Sequence, residues 1–384
     1  MTQTQHAQHA AQRQHSSEHH AEPQPPAFVQ QPHHAKQLPR TPHTPWMRSG
    51  AIGIALAAIV TVIVLAFLWP SFTADPQGIP VAVAGPTAQT TAVEAALKKA
   101  SPGTFSFTTV TDRAAAVKRI EERTEYGAIV LGDSPEVLTA SAANPTIAQS
   151  LDALAPRLQQ QRLAAAAAQH VPASAIGTVK TTDVVPLRST DPRGSTMAAS
   201  SFPMVLGGIL GGALVAVAIV GVWRRVIALA VYAVVASAAI AGVLQGWFGG
   251  LGGDYFVNAG AIALVLLGIG GVILGFVALI GRPGVAVGPV LFLLGANPIS
   301  AAALPIEFLA KPWGAIGQWF PPGAGATLLR ELTYFPKADM AFPWLVLGGW
   351  AVLGLLLSTL GHFRNNGAVR AGAEREAELA SASA

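Results

Sequence analysis

An uninterrupted apolar run from Ala51 to Trp69 precedes a mostly polar stretch, residues 71–201, and further membrane-length apolar runs begin only at Phe202. A run of roughly 20 apolar residues crosses the hydrocarbon core of a bilayer as a helix. The polar stretch is therefore tethered to a membrane at both ends and lies on one face of it. Half of the chain is hydrophobic (51%) and only 11% is charged, which places it in the polytopic membrane class. The net charge of +4 is small, so nucleic acid is not an expected partner. The absence of cysteine excludes disulfides, thiolate metal sites and a cysteine nucleophile.

Lys36, Arg40 and Arg48 precede the first apolar run and Asp75 follows it. The positive-inside rule then predicts a cytoplasmic N-terminal tail and a signal anchor rather than a cleaved leader. Residues 1–47 are rich in Gln, His, Pro and Ala and read as a disordered tail, with His19, His20, His33 and His34 spaced too irregularly for a built metal site. The first transmembrane helix is predicted over residues 48–70. Further spans are expected over Phe202–Trp223, Val226–Trp247, Val257–Ile280, Gly284 to Leu304 and Phe342–Leu360. Arg48, Arg224, Arg225, Arg282 and Arg364 then serve as cytoplasmic topology anchors. Lipid is the expected surrounding partner, residues 364–384 form a second cytoplasmic tail, and residues 202–363 form a membrane domain. The glycine pairs Gly207 with Gly211, Gly208 with Gly212, and Gly271 with Gly275 fit the small-xxx-small pattern of close helix contact. No ionisable residue falls at the centre of a span, which argues against an ion-driven carrier.

Between the first two spans, strands are predicted over Ile79–Ala84, Thr104–Val110, Gly127–Leu131 and Val137–Ala142. Helices are predicted over Thr90–Ala100, over Asp112–Thr124 with Asp112 as the N-cap, and over Thr146–Gln169. The alternation indicates a small α/β domain. The predicted fold is thus a polytopic α-helical membrane protein of six transmembrane helices, with an extracytoplasmic α/β domain inserted between the first and second. Neither a phosphate-binding GxxxxGK[ST] loop nor a nucleophile and base pair is present, so no catalytic residue, cofactor or metal is expected.

Residues 297–341 combine prolines, aromatics and glycines, with Glu307 and Lys311 at i, i+4 spacing. Two readings stay open: an interfacial loop with that ion pair, or a re-entrant, broken helical element lining a path through the bundle. The candidate path-lining or structural residues are Asn297, Pro298, Glu307, Lys311, Pro312, Trp313, Pro321, Pro322, Gly323, Gly325 and Arg330.

The layout, together with Asn297-Pro298, Leu304-Pro305, Pro312-Trp313, Pro321-Pro322-Gly323 and Leu329-Arg330, resembles the type-2 ABC exporter permeases, in the branch related to the phage infection protein. The resemblance covers residues 46–364. It implies a permease subunit that pairs with itself or with a sister permease, is driven by an ATPase subunit in trans, and moves a lipid-like or amphipathic substrate. One departure stands out. Such permeases present a cytoplasmic coupling helix between the second and third spans, whereas here that connection is little more than Trp223-Arg224-Arg225. The alternative function is a non-transporting scaffold or receptor whose outer domain binds an envelope component or a phage.

Overall fold

The structure is a computed structural model that describes residues 45–382, with side chains described as far as Arg364. Most of the N-terminal tail and its histidines lie outside the described residues. The chain divides into two units, Met1–Ala55 and Leu56–Ala384. In the first, the described residues form the opening turns of α1 (Trp46–Phe72), where Arg48 is exposed. The second holds the rest of α1, the α/β domain and the other apolar helices.

Why the α/β domain folds as it does is readable residue by residue. Ile79–Ala84 alternates small and branched apolar side chains and forms β1, a central strand buried on both faces. Gly85-Pro86 then turns the chain into α2 (Thr87–Ala100), and β2 (Phe105–Val110) lies parallel to β1. The Asp112 carboxylate accepts from Ala115 N at 2.8 Å and starts α3 (Arg113–Glu121). β3 (Gly127–Val130) is parallel to β1, β4 (Glu136–Thr139) antiparallel to β3, and β5 (Lys180–Asp183) parallel to β4. The resulting order is β2-β1-β3-β4-β5.

The single alanine-rich helix expected over 146–169 is instead two, α4 (Pro145–Asp152) and α5 (Leu154–Ala168). Pro156 has no N–H for the carbonyl four residues back, at Asp152, so the helix breaks there. One core layer packs Val93 and Leu97 of α2 with Leu151, Leu154 and Leu158 against the sheet. The other packs Ala116 and Ile120 of α3, with Phe335 from far along the chain, against the opposite face.

Among the described residues, five helices are long and apolar enough to cross a membrane: α1; α6 (Ser195–Ala218); α7 (Val222–Ala241) with its π-helical continuation to Trp247; α8 (Tyr255–Ile280); and the first part of α11 (Ala341–Ala382). This is the arrangement of a multi-pass membrane protein. Where a sixth span was expected from Gly284, the structure has a shorter apolar segment over Arg282–Ala296, part 3₁₀ and part π-helical. Pro283 and Pro289 lack the N–H groups that a regular α ladder would need.

The second apolar helix also starts earlier than hydropathy indicated. Asp191 accepts from the N–H groups of Ser195 and Thr196 at 3.0 and 2.9 Å, which sets the start before the polar first turns. α8 is the hub of the bundle, with most of its length buried. A Cβ on Gly212 of α6 would fall 2.7 Å from the Gly270 Cα of α8, and one on Gly354 of α11 would fall 2.8 Å from the Gly271 Cα. Gly211 lies under the ring of Tyr232, whose hydroxyl donates to Gly207 O at 2.8 Å. These small residues are used inside the chain, where backbone contact needs them.

Candidate functional site

The polar domain is anchored to the bundle through residues 297–337, and side-chain chemistry dictates where. Arg123, just after α3, reaches Glu331 of α10 (Pro321–Tyr334) at 2.8 Å, with the two side chains 14% and 10% exposed. Its guanidinium also lies 5.9 Å from the centroid of the Phe335 ring. The Tyr126 hydroxyl donates to Glu307 at 2.7 Å, and Lys337 pairs with Glu121 at 2.7 Å. Backbone bonds add Asp75 N to Phe308 O and Gln77 N to Glu307 O, at 3.1 and 3.0 Å. Burial, then the neighbouring Glu307 charge, pushes the Tyr126 hydroxyl pKa up, so it stays a donor.

The expected Glu307 and Lys311 ion pair does not form. Only Ile306–Phe308 is helical, as a short 3₁₀ turn, and Leu309 is extended, so the two side chains lose the α-helical spacing that would bring them together. Glu307 belongs to Tyr126 instead. Lys311, Pro312 and Trp313 are exposed.

From Glu307 the chain turns back into the bundle. Upstream of Glu307, Pro298, without an N–H, follows the π-helical turn, and the Ser300 hydroxyl donates to Asn297 O at 2.7 Å. α9 (Trp313–Gly317) leads to Gln318, which is buried. The Gln318 amide donates to Ser300 O at 3.0 Å and accepts from the Thr327 hydroxyl at 2.7 Å, so one side chain ties the incoming limb to α10. Pro321 then packs at Gly268. Gly268 lies thirteen residues along α8 from Tyr255, about 20 Å from that end at 1.5 Å per residue. From there α10 climbs back, so that Glu331 meets Arg123. The segment is thus a descending and ascending strap packed against α8 and α11, and Trp319 O accepts from the Trp350 indole of α11 at 2.7 Å.

The candidate residues divide by environment. Pro321, Pro322, Gly323 and Gly325 are buried, and a Cβ on Gly325 would fall 2.6 Å from Val265, so these four serve close packing. Arg330 donates to Ala302 O at 3.3 Å, and burial together with the Arg123 charge pushes its guanidinium down to about 10. It remains a cation at neutral pH. Asn297, Pro298 and Trp313 line space. Two neighbouring cavities, of about 210 and 460 Å³, open between the strap and α1, the second reaching α6 as well. Pro70, Pro298 and Leu309 face both, Trp69 and Trp313 line the first, and Phe67, Ser201, Phe202 and Ser300 line the second.

Arg123, Tyr126, Gln318, Thr327 and Glu331 were absent from the residues singled out by sequence. Glu331 had one available signal, an acid directly after Arg330 in an otherwise apolar segment; the partners of the others are distant in sequence.

Two of the topology anchors close helix ends. Arg225 donates to Ile219 O at 2.6 Å, just past the last turn of α6, and Arg364 donates to Leu279 O at 2.7 Å, near the end of α8. Each satisfies a carbonyl that a helix end leaves open. Arg224 and Arg282 are exposed nearby in sequence. Among the described residues no group of three or more His, Asp or Glu side chains is placed to hold a metal. No protein-family model, no curated protein and no solved structure matches the chain.

Proposed function

We propose that this chain is a membrane permease subunit of the ABC exporter type, moving a lipid-like or amphipathic substrate and driven by an ATPase carried on another chain. The observation that carries the reading is the crevice between α1, α6 and the strap. It is apolar on one side and edged by Ser201, Asn297 and Ser300 on the other, as a substrate with a hydrocarbon part and a polar part requires. The outer domain grips the same strap through Arg123, Tyr126 and Glu121, so a movement of one would be felt by the other.

Six crossings with both termini cytoplasmic fit this reading. α1 ends and α6 begins at the α/β domain, and residues 307–337 touch that domain. Ile280 is at the far end of the 26-residue α8 from that side. On this reading the chain between Ile280 and Ile306 returns across the bilayer, with the short 3₁₀ and π-helical segment over Arg282–Ala296 as the crossing element. The arginines at the opposite end of the bundle favour a cytoplasmic assignment for that end. A second copy or a sister permease would complete the pathway.

One feature favours a different reading, a scaffold or receptor without transport. α6 and α7 are joined by Ile219, Val220 and Gly221 alone, which leaves no coupling helix between them. An ATPase would have to dock on residues near Pro45 to Ser49 or on the part of α11 that continues past Arg364 to Ala382. Affinity purification of the full chain from native membranes decides between them. Transport predicts a stoichiometric ATPase whose recovery is lost on removing residues 366–382 or 45–49, and outward movement of a fluorescent lipid that is lost in Pro298→Trp. Recovery of the chain without any ATPase, and with lipid movement unchanged in Pro298→Trp, would leave the scaffold reading.

A further inference from the structure

The sheet of the outer domain reverses direction at β1. The connection from β1 through α2 to β2 covers one face, and the return from β2 through α3 to β3 covers the other, so α2 and α3 leave a gap where β1 and β3 end side by side. In open α/β sheets the crevice beyond the carboxyl ends of strands at such a switch point is where ligands bind. A cavity of about 440 Å³ opens next to that point, beside the end of β3 on the face covered by α2 and α5. Gln89, in the first turn of α2, and Leu131-Gly132, directly after β3, form its floor. α5 supplies a wall through Leu158, Arg162 and Ala165.

The volume is within the range of small-molecule sites, roughly 300–1,000 Å³. The chemistry of the lining narrows what fits. Most of it is aliphatic, which suits an apolar body, and its polar members are three glutamines and Arg162. No Asp or Glu lines the cavity, so a cationic ligand would find no counter-charge. Arg162 is half-buried and donates from Nη1 to Gly177 O at 3.3 Å, leaving most of its five N–H donors for a ligand. An anion beside it would gain charge-assisted hydrogen bonds at the mouth of an apolar slot.

We propose that this cavity is a binding site for a small amphipathic acid, with its apolar body against Val93, Leu131 and Leu158 and its acidic group at Arg162. The site is separate from the crevice at α1 and holds whether or not the chain transports anything.

The test is a calorimetric titration of the full chain in lipid nanodiscs, with empty nanodiscs subtracted, using 4-phenylbutyrate, 4-phenylbutanol and 4-phenylbutylamine. The acid binds one to one, the alcohol at least tenfold more weakly, and the amine weakest. Arg162→Gln brings the acid to the level of the alcohol. Ala165→Trp, an exposed position on the wall of the cavity, removes binding of both without lowering the unfolding temperature. Equal binding of all three probes, undiminished binding of the acid in Arg162→Gln, or no binding of the acid to the wild-type chain would overturn the proposal.

Discussion

At the level of single residues, the contact between the domain and the strap turns on how a buried charge is matched. Arg123 and Glu331 are both almost out of water, and Arg330 adds a second cation next to that carboxylate. Removing one member of such a pair strands the other, at a cost of about 3–5 kcal/mol. Replacing both with apolar side chains avoids this. Arg123→Met and Glu331→Leu are each expected to lower stability by about 3 kcal/mol, with the double variant less affected than the sum of the two. Denaturant unfolding of the three variants in detergent checks the cycle; strict additivity would mean that the pair is not coupled.

A second prediction concerns Glu136. The Arg113 side chain hydrogen-bonded to it, with Thr182 and Lys180 beside it, holds its carboxyl below the usual carboxylate value, against the opposing effect of burial. A depressed carboxylate contributes stability above its unfolded pKa and loses it as pH falls through the folded value. Glu136→Gln is therefore expected to cost about 0.5–1 kcal/mol at pH 7, a modest figure because Arg113 is half exposed, and progressively less as pH is lowered below the ordinary carboxylate range. Melting curves of both proteins across that pH range provide the measurement.

Among elements, caps and close contacts decide where helices begin and how they meet. The Asn144 side chain accepts from Thr146 N and Ile147 N at 2.9 and 3.1 Å and opens α4 ahead of Pro145. Asn144→Ala should cost about 1 kcal/mol, read as a lower unfolding midpoint with an unchanged slope. Gly212 is more demanding, because a side chain there meets the Gly270 backbone rather than a movable neighbour. Gly212→Leu is expected to separate α6 from α8 and to lose more than about 3 kcal/mol, seen as loss of a monodisperse peak in size-exclusion chromatography.

Element identity was largely legible along the chain. The alternation at Ile79–Ala84 and the Asp112 cap lie where β1 and α3 begin. The break between α4 and α5 was equally present, in Pro156, but the weight of alanine around it concealed a missing N–H. The early start of α6 was concealed for the opposite reason. A carboxylate at Asp191 stabilises the first turn of a helix whose own first side chains are polar, and hydropathy does not register caps.

For the molecule as a whole, the absence of cysteine makes sidedness directly measurable. With single cysteines placed at Asp133, Arg224, Arg282 and Lys311, an impermeant maleimide is expected to label Asp133→Cys and Lys311→Cys in intact cells. Arg224→Cys and Arg282→Cys should react only after permeabilisation. Labelling of Lys311→Cys together with the arginine positions would mean that the segment between Arg282 and Lys311 does not cross.

The order of apolar and polar runs was enough by itself to require a membrane protein with an inserted domain, because the free energy of transferring a run such as Ala51–Trp69 depends on composition and length alone. Local signals also placed β1 to β4, α2 and α3, but not β5 or the division of α4 from α5. Which side chains meet was left to the tertiary structure. Arg123 and Glu331, or Tyr126 and Glu307, are far apart in the chain, and nothing local in either member specifies its partner. The strap is the clearest case. Its prolines and glycines announced an irregular segment, but its packing against Gly268, and the Gln318 bond to Ser300 that holds it there, depend on residues that only the folded chain brings together.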